Sequence, residues 1–418
     1  MTQTLVEATN LKKYFPIKAG LLKIGGYVKA VDDVSFEIRR GETLGVVGES
    51  GCGKSTVARC LLRLIEPTDG EITYQFEGSG SVDFLKARKR ELHELRRHMQ
   101  IVFQDPFSSL NPRMLIKDIV AEPLRTFKAA SGRGVLDNVR RLLSFVGLGE
   151  EHLYRYPHEM SGGQLQRVCV ARAIALDPEF LILDEPTSAL DVSVQAQILN
   201  LLKRLQKELG MTYLFITHNL KVVDFMADRI AVMYLGKIVE VAQRGEFFEK
   251  TMHPYSQALL SAIPAADPDA KRLEKAIELV GDVPEPINPP LGCPFHPRCP
   301  RVFDRCGLEG RDLHAYLDSN LDIETMKKLA ISVRDTRISI AAKDPRSPEA
   351  LQTVQTLIDN GRKLGQPMFS AIESVNEERR GEVTVIFRPP VQPPLQSAGY
   401  DHEVSCFLYH PLNTLSGH

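Results

Sequence analysis

The sequence lacks several features that would assign it to a functional class. Its 418 residues carry 52 basic and 53 acidic side chains, a formal net charge of −1, so it has none of the basic excess of nucleic-acid-binding domains. No apolar run approaches the roughly 18 residues that a membrane-spanning helix needs. The N-terminal segment lacks the apolar core of a signal peptide, which predicts a protein kept in the cytosol.

Cysteine is scarce, with seven residues in the whole chain. Three of them, Cys293, Cys299 and Cys306, nevertheless fall close together in the segment GCPFHPRCPRVFDRC. In a reducing cytosol such a group is more often a metal or redox site than a disulfide framework. The spacing matches neither the C-x2-C zinc knuckle nor the cysteine run of bacterial ferredoxins, so it does not name a metal.

The most informative stretch is TLGVVGESGCGKSTVARCLL, where an apolar strand-like run, a glycine-rich loop and a helical pattern follow one another. The loop matches G-x-x-x-x-G-K-[ST] in the strand–loop–helix context that a phosphate-binding P-loop requires. Backbone N–H groups of such a loop surround phosphate oxygens, Lys54 is expected to reach the β- and γ-phosphates, and Ser55 to hold Mg²⁺. The predicted ATP-binding residues of this segment are Gly48, Ser50, Gly51, Cys52, Gly53, Lys54, Ser55 and Thr56.

A second apolar strand, FLILDEP, ends in two carboxylates, Asp184 and Glu185. Such a pair at the end of a buried strand fits the opposite side of a Mg·ATP site. Asp184 is expected to hold the metal, and Glu185 to orient and polarise the attacking water. Glu185 is therefore the predicted catalytic base.

The P-loop, SGGQ, LILDEP, SALD and ITHNL occur in an order and spacing that resemble the ABC-type ATPases over roughly residues 5–245. The resemblance implies an α/β fold, with a RecA-like P-loop core, an antiparallel β subdomain and a helical signature subdomain at about 106–165. The predicted ABC domain covers 1–250, and a cysteine-containing C-terminal domain covers 251–418.

The same resemblance implies further site residues. Phe15, rather than neighbouring Tyr14, is expected to stack on adenine. Gln104 is expected to sense Mg²⁺ and the γ-phosphate, His218 to contact the γ-phosphate, and Asp191 to form the D-loop. The signature that closes on the ATP of a partner subunit is expected at Ser161, Gly162, Gly163 and Gln164.

Several segments narrow the resemblance to the ATPase subunits of oligopeptide/dipeptide and nickel importers, closest to the F-type subunit. These segments are an extra loop before the P-loop strand, QDPFSSLNPRM, HPYSQALLSAIP and PPLGCPFHPRCP. The resemblance implies a second, non-identical ATPase subunit, two integral-membrane permeases and an extracytoplasmic binding protein as partners. It also implies a peripheral location on the cytoplasmic face of the membrane. The alternatives are a soluble, non-transport ABC ATPase and an importer for another cargo such as nickel.

The C-terminal segment HEVSCFLYHP resembles the end of the same family's C-terminal domain, in which some members carry a [4Fe–4S] cluster. We therefore hypothesise a structural [4Fe–4S] cluster on Cys293, Cys299, Cys306 and Cys406. Zinc on the same thiols, with His296 or His402, is one alternative. Four reduced cysteines packed as small apolar residues are the other.

Between these cysteines, residues 307–400 are predicted to form a small α/β insertion. Helical periodicity in DIETMKKLAISVRD and in SPEALQTVQTLIDNGRKLG predicts two helices. EVTVIF is predicted to be a strand, and RPPVQPPLQ a proline-rich linker.

Overall fold

A computed structural model describes residues 3–18, 24–78, 80–263, 277, 279, 281–344, 346, 348–378, 382–399 and 401–409. The chain divides into two compact units, residues 1–251 and 252–418. Each unit has its own sheets and helices and is described separately.

The first unit holds most of the regular structure. Its strands are β1 (Thr4–Lys18), β2 (Ile24–Arg39), β3 (Thr43–Val47), β4 (Asp69–Phe76), β5 (Gly80–Asp83), β6 (Met99–Val102), β7 (Phe180–Asp184), β8 (Thr212–Ile216), β9 (Arg229–Tyr234) and β10 (Lys237–Gln243). Its helices are α1 (Lys54–Leu61), α2 (Lys89–Leu95), α3 (Pro106–Ser109), α4 (Ile116–Thr126), α5 (Arg133–Phe145), α6 (Gly162–Ala173), α7 (Val192–Leu209), α8 (Leu220–Met226) and α9 (Arg244–Lys250).

A largely parallel sheet forms the core of this unit, in the order β10-β9-β3-β8-β7-β6. Strands β3, β7 and β8 are buried along their whole length, as expected for parallel strands that are covered on both faces. These strands pair with their neighbours in parallel, whereas β9 and β10 pair antiparallel. Since the carboxyl ends of parallel strands meet at one edge, the segments after β3, β7 and β8 are brought together there.

Two further layers complete the unit. Strands β1, β2, β4 and β5 form an antiparallel sheet in the order β2-β1-β4-β5. Helices α3 to α6 form a helical segment, whose buried side chains, such as Val120, Leu143 and Leu165, share one core with α7. The predicted α/β class, with its β and helical subdomains, is therefore confirmed.

The strands of the second unit are β11 (Leu329–Arg334), β12 (Arg337–Ala342), β13 (Ile372–Glu378), β14 (Glu382–Phe387), β15 (Gln396–Gly399) and β16 (His402–Val404). The first four of them form an antiparallel sheet in the order β11-β12-β14-β13. The helices of this unit are α10 (Pro254–Ser261), α11 (Gly310–Asn320), α12 (Ile323–Lys327), α13 (Glu349–Lys363) and α14 (Pro367–Ser370). Helices α11 and α13 share a core with the sheet, built around Leu313, Ile340, Val354 and Val385.

One helix prediction in this unit was wrong. DIETMKKLAISVRD forms only the short helix α12 before the chain turns into β11. The reason is the two-residue alternation of Leu329, Ile331 and Val333, which points these side chains to one face of the sheet. The predicted helix in SPEALQTVQTLIDNGRKLG forms as α13, and EVTVIF forms β14.

Among the described residues, no helix combines the length and the apolar character that crossing a lipid bilayer would require.

Candidate nucleotide site and cysteine site

An open cleft of about 510 Å³ lies at the carboxyl edge of the parallel sheet. Nine of its lining residues were predicted from the sequence: Ser50, Gly51, Gly53, Lys54, Ser55, Thr56, Gln104, Glu185 and His218. The tenth, Ala30 of β2, was not predicted. A methyl group on Gly53 would lie 2.1 Å from the carbonyl oxygen of Ala30, so the P-loop and β2 touch at this glycine. A linear motif does not reveal that contact.

The loop between β3 and α1 holds the lysine that was predicted to bind phosphate. Lys54 is 5% exposed, and its Nζ donates hydrogen bonds to the carbonyl oxygens of Gly48 at 2.8 Å and Glu49 at 2.9 Å. These carbonyls partly replace the water that a buried ammonium group loses. Gly48 has φ +153°, and a methyl group there would lie 2.0 Å from the Met233 carbonyl oxygen, so this position requires glycine.

Two oxygen ligands for a hard cation meet beside this loop. Asp184, at the end of β7, is 2% exposed, and its Oδ1 accepts a hydrogen bond of 2.8 Å from Ser55 Oγ. Burial raises the pKa of Asp184, while the hydrogen bond from Ser55 opposes that rise. A carboxylate and a hydroxyl at this distance have the donor chemistry that Mg²⁺ prefers.

Two side-chain contacts and one backbone hydrogen bond fix the position of Glu185. Its Oε2 accepts a hydrogen bond from Gln104 Nε2 at 3.1 Å, and its Oε1 lies 3.3 Å from His218 Nδ1. Its backbone N–H donates to the Ile216 carbonyl at 2.9 Å. Its φ of +46° is uncommon for a residue with a side chain and is found where surrounding contacts impose it. Three residues predicted from separate motifs thus lie in contact.

The predicted signature residues are not among the described residues that line this cleft. Ser161 caps α6, and its hydroxyl accepts from the Gln164 backbone N–H at 3.4 Å while its own N–H donates to Gln164 Oε1 at 3.0 Å. A methyl group on Gly163 would meet Val194 Cγ1 of α7 at 2.5 Å, so the two helices pack closely there. The described contacts of the signature are therefore within α6 and with α7, not with the residues of the cleft.

The predicted D-loop residue caps the next helix. Asp191 accepts hydrogen bonds from Ser193 Oγ at 2.7 Å and from the Val194 N–H at 3.0 Å, so α7 begins at this residue. The Ser193 hydrogen bond is the main cause of the lowered pKa of Asp191. Like the signature, Asp191 is not among the described residues that line the cleft.

The two candidate adenine-stacking residues differ in what they contact. Tyr14 donates its hydroxyl to Asp32, and burial together with that hydrogen bond raises the pKa of Tyr14. Phe15 is 38% exposed, with Lys13 Nζ 5.0 Å from its ring centre. Phe15 is the more exposed of the two rings, although it does not line the cleft in the described part of the chain.

In the second unit, all four predicted cysteines line one small cavity, together with Phe295 and Phe407. Cys293 and Cys306 are brought together by two glycines, Gly292 and Gly307, whose backbones cross closely. A methyl group on Gly292 would lie 2.7 Å from the Cys306 carbonyl oxygen, and the Cys293 N–H donates to that oxygen at 3.0 Å.

Three of the four thiols are buried, that of Cys299 is partly buried, and among the described residues no three of them lie as close together as thiolates around one metal ion. Burial raises the pKa of Cys293 and Cys299, and raises that of Cys306 to about 12. Thiolates around one zinc lie about 3.8 Å apart, since each Zn–S bond is about 2.3 Å. Among the described residues, no trio that includes a cysteine sulfur has its ligand atoms within 4.8 Å of one another. The arrangement does not fit a preformed zinc site.

The contacts of His296, the alternative zinc ligand, are with groups other than the thiols. His296 is 1% exposed, its Nδ1 lies 2.8 Å from the Cys293 carbonyl oxygen, and its Nε2 lies 3.0 Å from Asp312 Oδ2. Neither ring nitrogen is directed to the thiols, so the alternative that joins His296 to them does not fit this arrangement.

The fold and the cleft of the first unit define an ATP-binding cassette ATPase. Two structures of the cassette MJ0796 resemble the chain, one described as a bacterial ABC transporter cassette and one as a post-hydrolysis dimer bound to ADP and Pi. Each is 30% identical with a TM-score of 0.50, covering 57% of this chain and 99% of the other. The family model described as ABC transporter matches residues 31–188, and the one described as oligopeptide/dipeptide transporter, C-terminal region, matches residues 239–306.

Relatives that match over most of their own length are named as peptide transport ATP-binding proteins. A probable peptide ABC transporter ATP-binding protein of Sinorhizobium fredii is 52% identical over 74% of this chain and 86% of its own length. The oligopeptide transport ATP-binding protein AppF of Bacillus subtilis is 49% identical, over 73% and 92%. OppF of Salmonella typhimurium is 47% identical, over 75% and 95%. The chain belongs to the family of oligopeptide/dipeptide ABC transporter ATP-binding proteins.

Proposed function

We propose that this chain binds and hydrolyses ATP to power the import of di- and oligopeptides across the cytoplasmic membrane. The observation that supports it most strongly is the cleft in which Lys54, Ser55, Gln104, Glu185 and His218 converge. The chain matches the family model of the oligopeptide/dipeptide transporter C-terminal region, and two of its relatives are named as oligopeptide transport ATP-binding proteins. A soluble, non-transport ATPase would not account for that region.

In the proposed reaction, Lys54 leaves the two loop carbonyls that it now contacts and binds the β- and γ-phosphates instead. Mg²⁺, held by Ser55, Asp184 and Gln104, would neutralise phosphate charge. Glu185 accepts a proton from the attacking water, whose oxygen bonds to the γ-phosphorus as the bond to the β–γ bridging oxygen breaks. The imidazole ring of His218 contacts the γ-phosphate and stabilises its position. Phe15 stacks on adenine.

The signature at Ser161–Gln164 and Asp191 serve a second nucleotide in this proposal. They lie apart from the chain's own cleft, so they would act on the ATP of a partner ATPase subunit, one that is not identical to this chain. Two ATP molecules bound between such subunits close the pair, and hydrolysis opens it. Two permeases and an extracytoplasmic binding protein complete the assembly, with this chain peripheral on the cytoplasmic face.

Peptide uptake tests the proposal in cells. A strain that lacks the gene should lose uptake of labelled di- and oligopeptides, and the wild-type gene should restore it. Lys54→Ala should fail to restore uptake, because the variant cannot bind ATP productively. Lys12→Ala is the matched control, since it removes a lysine of β1 that pairs with Asp69 at 3.2 Å and does not line the described part of the cleft. If the strain that lacks the gene keeps peptide uptake but loses nickel uptake, the cargo is nickel and not peptides. If it keeps both, a non-transport role is favoured.

We further propose a structural [4Fe–4S] cluster on Cys293, Cys299, Cys306 and Cys406. The supporting observations are that all four thiols line one cavity and that, in the described part of the chain, no three of their sulfurs lie within 4.8 Å of one another. A cubane spreads its four thiolates further apart than a single ion does, and its irons would keep these thiols deprotonated despite their raised pKa values. The cluster would tie the two ends of the insertion together.

Protein purified without oxygen tests this. Brown protein with near-equal iron and sulfide, colourless after Cys406→Ser, would support the cluster. The matched control is Cys60→Ser, which changes a buried cysteine of α1 in the first unit and should leave the colour unchanged. Colourless wild-type protein with one zinc would replace the cluster by a structural zinc, and protein without metal would leave four packed thiols.

A further inference from the structure

A second group of potential ligands lies beside the cysteine cavity. His296, Glu309 and Asp312 each offer one ligand atom, and these three atoms lie within 4.8 Å of one another. His296 is 1% and Glu309 2% exposed, while Asp312 is partly buried. Imidazole and carboxylate donors at such distances are typical of sites for divalent transition metals. The cysteines contribute nothing to this group, so it is distinct from the thiol site.

The orientation of His296 is that of a metal-bound histidine. Its Nδ1, 2.8 Å from the Cys293 carbonyl oxygen, must carry a proton to make that hydrogen bond. In a neutral ring, Nε2 then presents a lone pair, yet it lies 3.0 Å from Asp312 Oδ2, which is also an acceptor. A cation bound by both atoms, as adjacent ligands of one ion, would satisfy the two acceptors. Metal-binding histidines are commonly fixed by such a bond from the other nitrogen to a carbonyl.

Glu309 supplies an independent observation. Its Oε1 accepts from Arg311 at 2.7 Å and from the Leu291 N–H at 3.3 Å, but its Oε2 is buried without a hydrogen-bond partner. A buried carboxylate oxygen without a partner is costly, and nearly all such atoms in proteins have one. A cation bound by the trio would provide that missing partner.

We propose that His296, Glu309 and Asp312 bind one divalent first-row transition-metal ion, of the manganese or zinc type. Arg311 offsets one of the two carboxylate charges, which leaves a modest net charge for a divalent ion to neutralise. Asp312 Oδ2 also accepts from the Glu309 N–H at 2.7 Å, so this carboxylate is already oriented toward the group. The ion would join α11, whose first turn carries Asp312, to the turn at His296–Arg298. The proposal does not depend on peptide import or on the thiol cluster.

Mn²⁺ binding to the full-length protein tests the site, because Mn²⁺ prefers oxygen and nitrogen over thiolate ligands. Excess Mg²⁺ and ADP would occupy the nucleotide cleft, and bound Mn²⁺ would be counted by electron paramagnetic resonance. Wild-type protein should bind one Mn²⁺ per chain, with a spin-echo signal from one imidazole nitrogen. Glu309→Gln should weaken this binding by about tenfold or more, since even indirect partners of a metal contribute about that much.

Two further variants keep the test decisive. Asp312→Asn should weaken Mn²⁺ binding by a similar factor, and circular dichroism would confirm that both variants remain folded. Asp304→Asn is the matched control, because Asp304 lies in the same unit but pairs with Arg388 at 3.0 Å. Mn²⁺ bound equally by Glu309→Gln and wild type, binding without a nitrogen signal, or no binding by wild type would each overturn the proposal. In the last case His296 and Asp312 contact each other directly, without a metal ion.

Discussion

Replacing Glu185 by glutamine should nearly abolish ATP hydrolysis while preserving ATP binding. The amide matches the shape of the carboxylate, so the contacts with Gln104 at 3.1 Å and His218 at 3.3 Å keep their geometry after one amide rotation. The expected cost to these contacts is about 1 kcal/mol, the net worth of a single hydrogen bond. The amide cannot accept a proton, and loss of a general base lowers turnover about 10²- to 10⁴-fold. That loss corresponds to about 3–5 kcal/mol in the activation free energy.

The assay is phosphate release by the assembled transporter at saturating Mg·ATP, with nucleotide binding measured separately on the same preparation. Glu94→Gln, which changes an exposed glutamate of α2, is the matched control and should retain wild-type turnover. Turnover of Glu185→Gln within about twofold of wild type would refute the assignment of Glu185 as the base, since it leaves less than about 0.5 kcal/mol for proton transfer.

Three other outcomes are expected. Gly48→Ala should abolish ATP binding, measured by calorimetry, because its methyl group would lie 2.0 Å from the Met233 carbonyl oxygen. Ser161→Ala should lower the free energy of unfolding by about 1 kcal/mol in urea titrations, since the hydroxyl caps α6. Burial acts to raise the pKa of Glu179, but hydrogen bonds, foremost that from Arg40, outweigh it and hold the pKa below its usual value. The stability from Glu179 is therefore present above about pH 4.5 and lost as pH falls, and Glu179→Gln should flatten this loss in thermal melts from pH 7 to 3.

Local patterns account for the parts of the fold that were predicted. The strands β3, β7 and β8 are continuous apolar runs next to glycines or acids, and their burial on both faces follows from that composition. The nucleotide groups follow those strands, so the edge of a parallel sheet brings together motifs that are far apart in sequence. Lys54 and Glu185 were identified from these local patterns, and His218 from the resemblance to the ABC-type ATPases.

Contacts between segments that are far apart in the sequence could not be predicted from local patterns. Ala30 enters the cleft only because Gly53 allows the P-loop to touch β2, and neither residue signals the other. In LAISVRD the alternating apolar residues favour a strand, but the preceding helix-forming residues masked that pattern. The trio of His296, Glu309 and Asp312 likewise depends on how the turn before Cys299 meets α11.

ATP turnover by the purified assembly tests the central claim most directly. The transporter containing this chain would be reconstituted in liposomes, and phosphate release measured with and without peptide-loaded binding protein. The account predicts that loaded binding protein stimulates phosphate release and drives peptide accumulation, and that Lys54→Ala in this chain abolishes both. Peptide accumulation that persists at the wild-type rate with Lys54→Ala would contradict it.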